Sequence, residues 1–458
     1  MKSAILLAAG AGKRAWPFCG VRQKTTVPVL HTPLVRGLAE GLFDAGVAHI
    51  TVVTGERGSA VRAALSGLDA VSFVTQPTRD GPVDAALHAL DHADGEDVLV
   101  CCADIATTSA APRALLDALD GGARAAVLAA PPPTDPRHYT CVGENAGALT
   151  GVWAHPGGAE RRFAGMAAAP AALLKKYLER NPGIMENAGV GGMPPAEGDL
   201  AYSFDLMRRD GIEVVVTDTP DYFVDVDYPW DMAEANRRAA DYFFDRLEST
   251  YLAPGASVDD GADIPSGVHL WLERGAQIGN GCHLDGPAFV GENAAVTRGA
   301  LLGERVCVGA GTRVEEYAKV GRHSVVGPRN ILGHCAEFNG VSFDVVYLYH
   351  YSSVTGLVGS HVDIAAAVVC GTWRFDNSIR AHEVRGHKIT PAAHGALTYI
   401  GDHVRTGVGA MFMPGVKVGS YVCVGPGVVV REDVTERTLV LVQQELETRP
   451  WGPERYGW

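Results

Sequence analysis

The stretch Leu6-Leu7-Ala8-Ala9-Gly10-Ala11-Gly12-Lys13-Arg14, with Lys24 further on, decides the first half of the chain. Ile5 to Ala9 is an apolar run of strand length that stops at a glycine. Gly10 and Gly12 remove side chains from the turn that follows, so backbone N–H groups can approach an anion closely. Arg14 and Lys24 add fixed positive charge at the same place, as a polyphosphate needs. A dinucleotide-binding turn asks for G-x-G-x-x-G. The third glycine position is instead Ala15, followed by Trp16-Pro17. The pattern therefore points to a nucleoside triphosphate rather than NAD.

Outward from this turn, apolar runs of strand length alternate with helical periods. Thr25 to Leu30 is β-rich, Leu34 to Ala45 is helical and stops at Gly46, and Ile50 to Val53 is a strand. Ala60 to Leu65 is helical, Val71 to Thr75 is a strand ending at Gln76, and Asp84 to Leu90 is helical. Val98 to Cys102 is a strand that runs out before Asp104. This alternation predicts an open, mostly parallel sheet covered on both faces. Ligands of such sheets bind outside the carboxyl ends of the strands. Gly10 to Arg14, Gln76, Gly81 and Asp104 all follow strand ends, so they should converge. Asp104 has two readings: a turn or helix cap, or a ligand for Mg2+, which takes one or two protein carboxylates. Asp225-Val226-Asp227 offers a second carboxylate, because side chains two apart in a strand share a face. Its other reading is a strand-to-helix turn capped ahead of Pro229-Trp230-Asp231.

Trp230 to Ser249 has a helical pattern, after which the composition shifts to glycine and valine. Aliphatic residues recur every six: Ile278, Leu284, Val290, Val296, Leu302, Val308, Val314, Val320, Val326 and Leu332. A second run is Val346, Val358, Ile364 and Cys370, with Ser352 in one slot; a third runs from Ile400 through Thr406, Phe412, Val418 and Val424 to Val430. A period of six is neither helical nor simple strand alternation. It describes a triangular coil of short parallel strands, one apolar residue per side stacking inward. Between Cys370 and Ile400 the repeat stops, predicting a loop that projects from the coil.

Composition narrows the function classes. A net charge of −14 over 458 residues argues against a nucleic-acid or membrane-surface binder. Nine cysteines without a C-x-x-C pair read as free thiols in a reducing compartment. The apolar start is short and leads straight into the glycine turn, unlike a secretion leader. The expectation is a cytoplasmic protein.

Leu7 to Arg14 with Lys24, then Gln76, Gly81, Asp104 and Val224-Asp225-Val226-Asp227-Tyr228-Pro229, resemble the sugar-1-phosphate nucleotidylyltransferases in order and spacing. The resemblance implies an α/β, Rossmann-like nucleotidyltransferase domain over residues 1–229. It implies that Ala8, Ala9, Gly10, Gly12 and Arg14 bind the triphosphate, that Lys24 holds the sugar phosphate, and that Gln76 and Gly81 lie at the nucleobase. Asp104 and Asp227 would hold Mg2+. Gln76 suits a uracil or thymine edge, so UTP or dTTP is expected first and CTP second. The acceptor side departs from the family. Ala154-His155-Pro156 stands where Glu-Lys-Pro is usual, and Phe163-Ala164-Gly165 where Asn-Thr-Gly is usual. Tyr139, His155, Gly165 and Glu197 are candidates for the acceptor pocket; His155 could replace the missing lysine as a donor, but reads more readily as a surface loop residue.

The six-residue period resembles the hexapeptide-repeat left-handed parallel β-helix, expected over residues 251–435 after a connecting helix at 230–250, with a tail at 436–458. That resemblance implies a homotrimer. The two halves together are similar to bifunctional enzymes that join such a nucleotidylyltransferase to an acetyl-CoA-dependent N-acetyltransferase. In that comparison His350 falls on the general base, Arg374-Phe375-Asp376 on a loop motif, and Lys388 on a basic residue near the acyl donor. Ser353 stands where the family has tyrosine, and Tyr347, Tyr349 and Tyr351 surround His350, so an ordered structural histidine is the other reading. An oligomerisation platform and a non-catalytic scaffold are the competing readings of the coil and of the whole chain.

Overall fold

The structure is a computed structural model. It describes residues 2–76, 81–93, 95–132, 139–154, 161–184, 186–188, 191–193, 197–384 and 386–455. Nine strands form the N-terminal sheet: β1 (Lys2–Ala8), β2 (His49–Thr54), β3 (Val71–Thr75), β4 (Asp97–Cys102), β5 (Ala126–Ala130), β6 (Thr140–Asn145), β7 (Ala148–Ala154), β8 (Arg161–Pro170) and β9 (Val215–Asp218). Their order is β3-β2-β1-β4-β8-β5-β9-β7-β6. The four strands from β3 to β4 are mutually parallel, whereas β8 runs antiparallel between β4 and β5. The sheet is thus mixed: the half that carries the glycine turn is all parallel, while the other half holds one parallel pair, β5 with β9, among antiparallel ones. The β6–β7 hairpin needs no crossover helix and returns antiparallel.

Both faces are covered, as expected from a run of apolar residues without polar alternation. Ala4, Leu6 and Ala8 of β1 point to one face, against Val35 and Leu38 of α1 (Leu34–Asp44), Val61 of α2 (Gly58–Ala64) and Leu115 of α4 (Ala110–Asp120). Ile5 points to the other, against Ala86 of α3 (Gly81–Leu90), Leu174 of α5 (Ala171–Glu179) and Phe204 of α6 (Leu200–Arg209). The β-rich reading of Thr25 to Leu30 is corrected. Lys24–Thr26 is a single 3-10 turn, followed by a two-residue strand, Pro28–Val29.

Helix α7 (Pro229–Phe244) joins the sheet to the coil. Proline at its first position and the Asp231 carboxylate, which accepts from the amides of Tyr228 (2.7 Å) and Asp227 (3.0 Å), start it sharply. It ends at Phe244, short of Ser249.

Beyond α7 the chain is a left-handed β-helix of strands two to six residues long, from Tyr251–Leu252 to Leu439–Val440. Inward residues stack in parallel register, for example Leu272 on Val290 and Val290 on Val308. The first and third apolar runs occupy these inward positions. In the second run Val358, Ile364 and Cys370 are also buried in the core, but Val346 and Ser352 are out of step. Leu348 is the inward residue stacked between Leu332 and Ile364, and Val354 the one stacked on Phe338. Val346 is buried nearby, while the Ser352 hydroxyl turns to the Tyr349 carbonyl at 2.7 Å. The cause is that two sides of the triangle fuse into the continuous strands Glu337–Ser342 and Ser353–Val358, each shortening its turn of coil by two residues. The polar atoms this brings inside are satisfied: the Asn330 amide donates to Ser342 Oγ at 2.7 Å and accepts from the Val346 amide at 2.7 Å.

The insertion after Cys370 does not simply project. Trp373 and Phe375 are exposed at its tip, but it then folds back onto α7. The His382 ring lies 5.2 Å from that of Trp230, and His394 Nε2 lies 2.9 Å from Glu234 Oε2. Among the described residues no helix is long and apolar enough to cross a membrane.

Candidate active site

Four strand ends meet at one edge of the sheet. β1 delivers the glycine turn, β3 delivers Gln76, and β4 delivers Asp104. Asp225 arrives on a short strand, Phe223–Asp225, that pairs antiparallel with Ile105–Thr107, and the Val226 amide donates to the Asp104 carbonyl at 2.8 Å. This pairing puts the Asp225-Val226-Asp227 segment beside Asp104.

The glycine turn is shaped as the sequence implied. Nothing lies within 4 Å of where a Gly10 Cβ would stand. Gly12 has φ +62°, and a Cβ there would sit 2.6 Å from the Lys24 Cβ. Only glycine combines that left-handed backbone with so close an approach. Gln23, which the sequence reading passed over, straps the turn from behind: its amide nitrogen donates to the carbonyls of Ala8 (2.9 Å) and Gly10 (2.6 Å). A buried glutamine immediately before the site lysine was the one available signal. Gln23→Met removes both bonds at similar volume. It is expected to raise the triphosphate KM about tenfold in a pyrophosphate-release assay, the equivalent of about 1.4 kcal/mol.

Lys24 is the centre. Its side chain is 8% exposed, and Nζ lies 2.6 Å from Asp104 Oδ2 and 3.0 Å from Asp227 Oδ1. Arg14 reaches the same Asp227 oxygen at 2.9 Å. Burial alone would lower the lysine pKa, but the charges of Asp104 and Asp227 outweigh it and hold the amine protonated. Burial works against the Asp227 carboxylate too, and Lys24 and Arg14 overcome it, keeping Asp227 ionised. Arg162, also unforeseen, forms an ion pair with Asp225 and stacks over the Tyr139 ring at 3.6 Å.

The carboxylates of Asp104, Asp225 and Asp227 each offer an oxygen within 4.8 Å of the others. Three hard oxygens at that spacing are the donor set a small divalent cation takes, so these residues fit such an ion. Arg14, Lys24 and Arg162 pair with these aspartates, while burial and the neighbouring Asp227 charge push the Asp225 carboxyl up to about 7. The charge of a bound dication would be matched by that of a bound polyphosphate.

Two cavities open on either side of Asp104. The larger, about 420 Å³, is lined by Ala9, Gly10, Lys13, Gln76, Gly81 and Glu197, among others. Gln76 is oriented there by donating to the Gly81 carbonyl (3.2 Å) and Asp84 Oδ2 (2.8 Å). The smaller, about 220 Å³, is lined by Arg14, Tyr139, Arg162, Gly165, Asp225 and Asp227, among others. Of the acceptor-pocket candidates, Tyr139 and Gly165 line this smaller cavity. Glu197 lies in the larger one, against Gly81, because the segment ahead of α6 runs past the start of α3. His155 lies outside the described residues.

The three acyl-transfer candidates are dispersed by comparison. His350 is exposed, with its ring edge-on to Tyr351 at 5.5 Å. Arg374 bonds within its own loop, to Ser378 Oγ at 3.1 Å, and Lys388 is exposed on the His382–Ile389 hairpin. Among the described residues no hydrogen bond or ion pair joins them.

Residues 4–169 match the MobA-like NTP transferase domain, and residues 397–432 match the bacterial transferase hexapeptide family. The bifunctional sugar-1-phosphate nucleotidylyltransferase/acetyltransferase of Sulfurisphaera tokodaii is 25% identical over 442 residues, spanning 94% of this chain and 98% of that protein. Over nearly its whole length the chain is therefore similar to a bifunctional sugar-1-phosphate nucleotidylyltransferase/acetyltransferase. The bifunctional protein GlmU of Kineococcus radiotolerans is 26% identical over 471 residues, 95% of this chain and 89% of the other. That of Bordetella parapertussis is 28% identical over 354 residues, 72% of each. Both the N-terminal sheet and the coil fall within the matched length of the Sulfurisphaera and Kineococcus proteins.

Proposed function

We propose that the chain is a Mg2+-dependent nucleotidylyltransferase that condenses a nucleoside triphosphate with a sugar-1-phosphate or sugar-like phosphate, releasing pyrophosphate. The observation that carries this reading is the Lys24 amine lodged between Asp104, which lines both cavities, and Asp227, which lines the smaller. The triphosphate lies in the larger cavity against the Gly10 turn, and the acceptor phosphate in the smaller one. A phosphate oxygen of the acceptor attacks the α-phosphorus, forming one P–O bond as the bond to the β-phosphate oxygen breaks. Such a displacement needs alignment and charge neutralisation rather than a protein nucleophile. Arg14 and Lys24 supply the fixed positive charge. Asp104, Asp225 and Asp227 would hold the metal, which neutralises phosphate charge when bound. With the Gln76 nitrogen committed to Gly81 and Asp84, its carbonyl oxygen is left to accept from the N3–H of a uracil or thymine. This favours UTP or dTTP over CTP.

In the same reading the protein is cytoplasmic and the coil assembles a homotrimer, with residues 1–229 as the transferase unit. A pyrophosphate-release screen of the common triphosphates against sugar, cyclitol and aminoalkyl phosphates, with Mg2+, tests it. Release that requires one triphosphate and one phosphate acceptor is the expected result; silence across the panel would sink it.

A second activity is suggested by the exposed His350 on the coil, together with the acetyltransferase named in the relatives. If it is active, free thiol appears from acetyl-CoA with an amino-sugar phosphate and falls at least about a hundredfold in His350→Ala. No thiol release across a panel of amines counts against acyl transfer.

A further inference from the structure

The loop from Trp16 to Gln23 leaves the site at Arg14 and returns to it at Lys24, yet it contains no helix or strand of its own. Its conformation must come from what it leans on. One support is local: Arg57 donates to the carbonyls of Cys19, Gly20 (2.9 Å) and Arg22 (3.0 Å). The other is the coil. Phe18 packs against Phe343 with ring centroids 5.5 Å apart, and the Arg22 guanidinium lies over the same ring at 4.8 Å. Arg22 then closes a fork on the Asp402 carboxylate, with Nε 3.0 Å from Oδ2 and the second amino group on Oδ1 and on Ser360 Oγ (2.8 Å).

Asp402 is fully buried, at 0% exposure. It occupies a corner of the coil at which the adjoining turns carry Ser360 and Ser420, so nothing in the repeat calls for a charge there. A buried carboxylate persists only where a cation and hydrogen bonds satisfy it. The cation is Arg22, and the Ser360 amide, 2.7 Å from Oδ1, adds a bond. Arg22 is two residues from Lys24 and next to Gln23, the strap of the glycine turn. A second chain of contacts runs from the coil to Arg14. Lys417 lies 5.4 Å from the Trp230 ring, Trp230 stacks on Tyr228 at 4.7 Å, and Arg14 lies over Tyr228 at 5.9 Å.

We propose that Asp402, a residue of the β-helix, is a positioning residue for nucleotidyl transfer: through Arg22 it holds the loop that delivers Gln23 to the glycine turn and Lys24 to the aspartates. The coil is then part of the transferase site's scaffold as well as a separate module. This rests on the nucleotidyltransferase reading of that site.

The test uses the full chain. Asp402→Asn is nearly isosteric and keeps the bond from Ser360. It is expected to lower kcat for pyrophosphate release at least tenfold at saturating substrates, with the melting temperature within a few degrees of wild type. Arg22→Met attacks the same pair from the other side and covers the case in which Asp402→Asn does not fold. Arg22→Lys, which keeps the charge, should retain more turnover than Arg22→Met. The double variant Arg22→Met/Asp402→Asn should be no worse than either single one. A mere interface staple would change stability and leave kcat alone, so a kcat within twofold of wild type in folded Asp402→Asn and Arg22→Met overturns the proposal, as do additive losses in the double variant. Amide exchange over residues 10–24 reads the same coupling without turnover: it should speed at least tenfold in Asp402→Asn, and unchanged exchange also overturns the proposal. If wild type releases no pyrophosphate, the transferase reading fails, while the exchange result still decides whether the coil holds the loop.

Discussion

Lys24→Ala lowers pyrophosphate release by about 10³-fold, the equivalent of roughly 4 kcal/mol of transition-state stabilisation, while the coil stays folded. The expectation follows from where the charge sits. The Lys24 amine is nearly excluded from water, within 3.0 Å of two carboxylates, one of which, Asp104, lines both cavities that would hold the reacting phosphates. Charge fixed in such a place needs no reorganisation as the α-phosphorus is attacked. Folding should weaken as well, because Asp104 loses the amine beside it; Asp227 keeps Arg14 at 2.9 Å. Added Mg2+ should restore part of that stability if the aspartates bind it. The pH dependence has a definite sign. A lysine whose pKa is raised on folding contributes stability that is fully present below its ordinary value and is lost only as pH rises through the higher one. Between pH 6 and 9, on this reasoning, Lys24 contributes no step to the pH–rate profile. Steady-state kinetics of the variant decide the matter: turnover within tenfold of wild type would leave Lys24 only the task of neutralising buried aspartates.

Gly340→Val has the largest expected effect on the coil. Gly340 has φ +126°, and a Cβ there would stand 2.1 Å from the Gly356 carbonyl oxygen. Gly356 in turn faces the Thr398 carbonyl, where a Cβ would come within 2.5 Å. These are the points at which the triangular section is flattened and two sides run through one strand. Successive turns approach too closely there for any side chain. The strain of the backbone together with the overlap should destabilise the coil by about 3–5 kcal/mol, roughly a 10 °C fall in melting temperature. Gly279→Ala is the contrast. It lies at an ordinary corner of the same coil, with its nearest neighbours 3.5 Å from a new Cβ, and should fall by a few degrees at most. Equal losses in the two variants would show that the flattened section is not where the packing is tightest.

Much of this was legible because it is local. The run Ile5 to Ala9 stopping at glycine, the strand ends carrying Gln76 and Asp104, and the two aspartates around Val226 depend on residues within a few positions of each other. The six-residue period is equally local, since each turn of coil buries its apolar residue on the turn before it. The period breaks off at Leu332 and a separate run starts at Val346, but that Leu348 is the inward residue is not legible, because the missing residues lie inside continuous strands rather than at a turn.

The amino-acid sequence by itself determined the α/β sheet with its anion-binding turn, the cations and carboxylates around it, and the stacked coil that follows. Each of these is set by chain direction and short-range periodicity. Tertiary structure alone decided that Arg162 pairs with Asp225, that Gln23 straps the glycine turn, that Glu197 faces the larger cavity, and that the coil takes hold of Arg22. Those contacts join residues between 13 and 380 positions apart. They exist because burying a charged or polar group demands a partner, and only the folded chain determines which partner is within reach.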